Sequence, residues 1–240
     1  MLIINKNKYK INIKHLIVFI LVFIIFTPIG TLTHELGHLF VAKQLSYDTK
    51  LHYSSISWES NLKKSVLDRY SKNKIEIEND LPFNEKEIYN KDVTIINRDD
   101  LNILLGGVLQ TITVGSIFFL FFLYSNKKNE NFNLLQWTYL FLSLFWLREI
   151  FNLFYGFSIG LYKGNNQFFY GDEARIADIL EIDKGSILIP LAILSFGIVF
   201  YLIKQIPLKY KFTFILSGLI GCPLGYFFWM FIFGPLILPR

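Results

Sequence analysis

Apolar residues along this chain gather into five long blocks separated by polar stretches, rather than recurring at helical or strand spacing. The first block runs from His15 to Leu45. As one helix it would be roughly 46 Å long at ~1.5 Å per residue, well beyond a hydrocarbon core of ~30 Å. Pro28 lies inside it and removes a backbone donor. Two arrangements fit: a tilted, kinked span, or a span ending near Pro28 with a second helix behind it. The first is preferred, because Leu32, Leu36, Leu39, Phe40 and Val41 keep the far half apolar. Blocks near Leu101–Tyr124, Leu134–Leu161, Ile187–Ile203 and Phe212–Leu238 also reach spanning length. Gly218, Gly221, Pro223, Gly225, Gly234 and Pro235 make the last of them the one expected to break or bend.

The pattern divides the chain into six regions: a basic tail (1–14), a first membrane helix (15–45), a polar insertion (46–100), second and third membrane helices (101–161), a polar segment (162–186), and fourth and fifth membrane helices (187–240). The expected fold is an all-α polytopic membrane protein of about five transmembrane helices, with a soluble, partly structured insertion after the first. Within that insertion Ile75-Glu76-Ile77-Glu78 alternates like a short strand, and Ser54–Trp58 is compatible with another. An edge strand over Leu51–Trp58 would suit pairing with an extended peptide.

Composition supports this class. Of 240 residues, 52% are hydrophobic, and the mean hydropathy is +0.39, values that soluble domains rarely reach. The formal charge of +5 is spread over ends and loops with no basic stripe, which removes nucleic-acid binding from consideration. Such a surplus serves membrane orientation. The single cysteine, Cys222, allows no intramolecular disulfide. Lys6, Lys8, Lys10 and Lys14 ahead of an apolar run imitate a secretory signal. The run is too long and lacks a small-residue cleavage site, so the expectation is a retained helix.

Chemistry enters with His34-Glu35-Leu36-Gly37-His38 inside the first block. On a helix, histidines four residues apart share a face. Both imidazoles can then hold one metal ion while Glu35 reaches a water bound to it, the H-E-x-x-H arrangement of zinc metalloproteases. A catalytic zinc takes three protein ligands and keeps one position open. Asp172, after Gly171 at the start of a short helical stretch, is the best-placed third ligand. Counting spans brings it to the membrane side where the first helix ends. Its position also suits a helix N-cap. Glu173, Asp178 and the loop residue His52 are competitors, and Glu149 qualifies if the third span packs on the first. Gly107, Thr111 and Gly115 repeat at a spacing that lets helices approach closely in lipid. Gln110 and Asn152 are amides placed to bind substrate backbone or an oxyanion. Arg148 and Glu149 are costly inside a span. They either find polar partners on other elements or lie near a membrane face.

These residues together resemble the site-2-protease-like intramembrane zinc metallopeptidases, in particular their compact branch without a PDZ domain. The resemblance rests on His34-Glu35-Leu36-Gly37-His38, on Gly106-Gly107-Val108-Leu109-Gln110, and on Asp172-Glu173-Ala174-Arg175-Ile176-Ala177. It implies a Zn2+ held by His34, His38 and Asp172, with Glu35 as general base. The substrate class it implies is a membrane-protein or membrane-proximal peptide, met in the lipid bilayer. Asn152 is followed by Leu153-Phe154-Tyr155 where many members have Asn-x-x-Pro, and Gln110 stands where an asparagine is frequent. The alternatives are a non-proteolytic membrane metal-binding or scaffold protein, and a membrane metallopeptidase of different architecture. The sequence leaves the oligomeric state unknown.

Overall fold

In a computed structural model of the chain, residues 11–126, 131–164 and 168–238 are described. The first ten residues of the basic tail, with Lys6, Lys8 and Lys10, lie outside that set. The protein is an all-α polytopic membrane protein with a small β-hairpin.

Helix α1 (Ile13–Gln44) is continuous through Pro28 and starts from Asn12, whose side chain accepts from the Lys14 and His15 amides. Those amides have no partner within the helix, so the cap satisfies two orphan donors. A hairpin follows, with β1 (Asp48–Leu51) antiparallel to β2 (Ile56–Glu59) and Thr49 opposite Trp58. The strand expected around Ser54–Trp58 is therefore present, shifted by a residue or two.

The insertion corrects the sequence reading in two places. Ile75–Glu78 is not a strand but lies in a short helix, α3 (Lys74–Glu78), behind α2 (Asn61–Lys72). The second long helix, α4 (Lys86–Ser125), begins 15 residues before the expected boundary at Leu101. Its polar first part is held by α2 through Arg69, which bonds Asp92 at 2.6 Å and Glu85 at 3.0 Å. The insertion thus consists largely of helix.

The third span is α5 (Leu134–Ser143), a 3-10 turn (Leu144–Trp146) and α6 (Leu147–Lys163). Ser195 donates to the Trp146 carbonyl freed at this break. Then come α7 (Asp172–Ile179), α8 (Gly185–Gln205) and α9 (Leu208–Phe227). The chain closes with a π-helical segment (Phe228–Phe233) and α10 (Gly234–Ile237). The irregularity expected in the last span is this π segment, which follows Pro223 and Gly225.

Among the described residues five helical stretches are long and apolar enough to cross a membrane: Ile13–Gln44, Lys86–Ser125, Leu134–Lys163, Gly185–Gln205 and Leu208–Ile237. Helix α1 lies between α4 and α9, and α7 packs on α4 and α8. The N-terminal half of α1 enters an aromatic core of Phe19, Phe23, Phe122, Phe132, Phe141 and Phe214. Its C-terminal half meets the hairpin around Ala42, Tyr47, Ile56 and Ile103. His34, Glu35 and His38 lie on α1 between these two cores.

Candidate metal centre

Helices α1 and α4 cross with almost no side chain between them. A Cβ on Gly37 would strike the Gly106 carbonyl, and one on Gly106 would lie 2.6 Å from the Gly37 carbonyl. One step along α4, a Cβ on Gly107 would fall on the His38 imidazole. Gly107 therefore leaves the space that the ring fills. The four-residue series continues with Thr111 and Gly115, where a Cβ would come within 2.7 Å of the Trp146 ring.

This close crossing puts α4 within reach of both histidines. His38 Nδ1 lies 2.7 Å from the Ile103 carbonyl, which can only accept, so Nδ1 carries the proton and Nε2 keeps its lone pair. His34 Nδ1 lies 2.9 Å from Thr111 Oγ1. The Thr111 hydroxyl points toward Gln110 Oε1 at 3.5 Å, which leaves its oxygen to accept from His34. Both rings are thus fixed with Nε2 facing inward. Both are buried, His34 completely. Ring contacts of this kind set the tautomer and basicity of metal-binding histidines.

Asp172 arrives from the other side on α7. Gly171 precedes it at φ +97°, a backbone conformation that side chains disfavour. Gly171, not Asp172, is the N-cap, and its carbonyl accepts from Arg175. Asp172 is free to point into the site. Its Oδ2 lies 2.8 Å from His34 Nε2 and 3.3 Å from His38 Nε2, and the two nitrogens are 2.9 Å apart. Three lone-pair atoms this close require a cation or proton among them. A tetrahedral ion with bonds of ~2.0–2.2 Å spaces its donors at roughly 3.3–3.6 Å, so the triangle fits such an ion after a small outward adjustment. Glu35 is buried beside it, in a group with His34 and His38 whose ligand atoms all lie within 4.8 Å of one another. This buried His-Glu-His group can bind a metal ion.

The other sequence candidates fall into place around the triangle. Gly107 gives room to His38, and Gln110 bonds Thr111. Asn152 Nδ2 donates to Glu173 Oε2 at 3.2 Å, which uses one of its two N–H groups. Glu173 is fully buried and turned from the triangle toward Glu149, also fully buried. The two carboxyls lie close enough to feel each other's charge, and no hydrogen-bond donor among the described residues reaches either Glu149 oxygen. Burial and the charge of Asp172 push Glu173 above the usual carboxylate range. His52 bonds Ser57 at 3.1 Å in the hairpin loop, and Asp178 pairs with Lys184 at 3.1 Å.

Two contributors were not assigned from sequence. Thr111 showed only its small-residue spacing, and the Ile103 carbonyl, being backbone, has no sequence signal at all. A third is Arg148, which finds its partners in the triangle: Nη2 is 2.8 Å from His34 Nε2 and 3.3 Å from Asp172 Oδ2. Comparison of the chain with family models, with curated proteins and with solved structures finds no match in any of the three.

Proposed function

We propose that this protein is an intramembrane zinc metalloprotease, hydrolysing a peptide bond in or near a transmembrane segment of another membrane protein. The observation that carries the reading is the convergence of His34 Nε2, His38 Nε2 and Asp172 Oδ2 on one point beside Glu35. Its two histidines and Glu35 lie on a helix apolar enough to span a bilayer. Two imidazoles and a carboxylate are a zinc donor set that leaves a fourth position open. A zinc ion held there would acidify a water and polarise a peptide carbonyl.

Glu35 then takes a proton from the attacking water as its oxygen bonds the carbonyl carbon. The same carboxyl returns the proton to the amine nitrogen as the C–N bond breaks. His34 and His38 keep Nε2 directed inward because Thr111 and Ile103 hold their other nitrogens. The hairpin, joined to α4 by Trp58 Nε1–Asp100 at 2.7 Å, offers a free strand edge for an extended substrate segment.

Glu35→Gln tests the reading in purified full-length protein given a membrane-protein reporter. Cleavage should fall by ~10²–10⁴-fold, the usual range for a general base, with zinc content unchanged. Unchanged cleavage would remove Glu35 as the base. Loss of zinc would make Glu35 a fourth protein ligand, and the site a closed, structural one.

A further inference from the structure

We propose that Arg148 binds the substrate's carbonyl oxygen and stabilises the negative charge that gathers there during hydrolysis. This rests on the protease reading of the same site.

Arg148 lies in the span Leu134–Lys163, where a permanent positive charge is expensive unless it is used. It is the second residue of α6, directly after the 3-10 turn Leu144–Trp146. The break, held by Ser195 on α8, gives α6 its own starting direction and brings Arg148 to the triangle. Nη2 sits 2.8 Å from His34 Nε2 and 3.3 Å from Asp172 Oδ2. No other Lys or Arg among the described residues bonds any of the three donors. The guanidinium is thus fixed at the mouth of the metal centre.

That position has an electrostatic consequence. A guanidinium that reaches two of the three ligand atoms would repel a divalent ion held by all three, strongly so at low dielectric. The repulsion is relieved only when negative charge lies between them. Asp172 supplies one such charge, which a bound ion would share. A carbonyl oxygen held against this site would gain its charge under attack within reach of the Arg148 guanidinium. Arg148 Nε–H is buried with no partner among the described residues, an unspent donor on the same planar group. Donors fixed in advance at the place where charge develops lower the barrier without reorganising. In the balanced step the water oxygen bonds the carbonyl carbon and the C=O pair moves onto oxygen facing Arg148. The pair returns as the C–N bond breaks, and the Glu35 proton goes to nitrogen.

The test compares wild type, Arg148→Gln and Arg148→Lys as zinc-loaded full-length protein. Zinc content, reporter cleavage and binding of two peptides are measured. One peptide carries a phosphonamidate, a tetrahedral anion, and the other is its uncleaved amide parent. Arg148→Gln should keep its zinc and bind the amide as wild type does. It should lose about 100-fold in phosphonamidate affinity and a similar factor in kcat with little change in KM, with Arg148→Lys in between. Undiminished phosphonamidate affinity in Arg148→Gln with zinc retained overturns the proposal. Loss of zinc in both variants also overturns it, since Arg148 would then be a support of the metal site. A selective loss of phosphonamidate binding, alongside cleavage that ignores Glu35→Gln, upholds Arg148 and rejects the protease reading instead. Wild type that binds no phosphonamidate rejects both.

Discussion

The two halves of α1 are held by opposite means. Toward the N-terminus Phe19 and Phe23 sit among rings, with Phe19 at 4.8 Å from Trp137 and Phe23 at 5.0 Å from Phe141 between centroids. Toward the C-terminus the contact with α4 is Gly37 against Gly106, backbone on backbone, with Gly107 clearing space for His38. In lipid, large apolar side chains gain nothing from leaving water, because the tails around them are just as apolar. The aromatic half is therefore held by packing and ring-edge contacts, which neighbouring rings can partly re-form. The glycine half has no such freedom, since neither backbone can rotate away. Tolerance to change should be high at one end and nearly absent at the other, and the candidate metal centre lies at the intolerant end.

Gly107→Ala is the most direct way to break that arrangement. The added methyl would occupy the position of the His38 ring, so the imidazole must leave the triangle or the helices must part. Zinc affinity should fall by at least ~100-fold, the upper end of what disturbing a ligand's support costs. Titration with a competing chelator measures it. A variant that binds zinc as wild type would show that His38 is not held where the crossing places it.

Phe141→Ala probes the other half. Phe141 is buried against Phe19, Phe23, Phe26 and Phe214. In water-soluble cores such a truncation costs ~3–5 kcal/mol, part of it transfer from water. With that part missing in lipid, about 2 kcal/mol remains for the cavity and lost ring contacts. Unfolding in mixed micelles should report this loss, while zinc per folded molecule stays unchanged. A drop in zinc content would mean the two halves of α1 are energetically coupled, and the contrast would fail.

The same contrast explains what the sequence made legible. His34, Glu35 and His38 could be read because their geometry is local to one helix turn. The spans were readable from length and hydropathy. Asp172 was readable as a candidate from Gly171 before a short helical stretch, though only the path of α7 brings it against His34. By contrast, Lys86–Asp100 is helical yet polar, so hydropathy carried no sign of it; α2 holds it through Arg69. Ile75–Glu78 fits a strand by alternation, but four residues fit a helical turn equally well. Lys74 and Glu78, 3.8 Å apart, pair as i and i+4 on that turn. Arg148 was recognisable as a costly charge, but not as a neighbour of His34, because its direction depends on the 3-10 break. Asn152 was read as a substrate-binding amide, and its bond to Glu173 had no sign in the sequence. What escaped the sequence was set by how helices turn and cross, not by residue type.

The smallest expected effect sharpens the boundary between the site and the hairpin. Tyr47, just past the end of α1, donates to Asp99 Oδ2 on α4 at 3.1 Å, and both residues are buried. Tyr47→Phe removes the donor and leaves a buried carboxylate with one partner fewer, for about 1 kcal/mol. Burial, with the charge of Asp99, pushes the Tyr47 hydroxyl up to about 12. The raised value means that the fold favours the protonated phenol. Its contribution is complete below the ordinary tyrosine value near 10 and fades as pH climbs through about 12. Wild type should exceed Tyr47→Phe in stability at pH 8, and the gap should close between pH 10 and 12. A gap that persists to pH 12 would assign the difference to packing of the ring against Ala42, Ile56 and Ile103 instead of to the Asp99 bond.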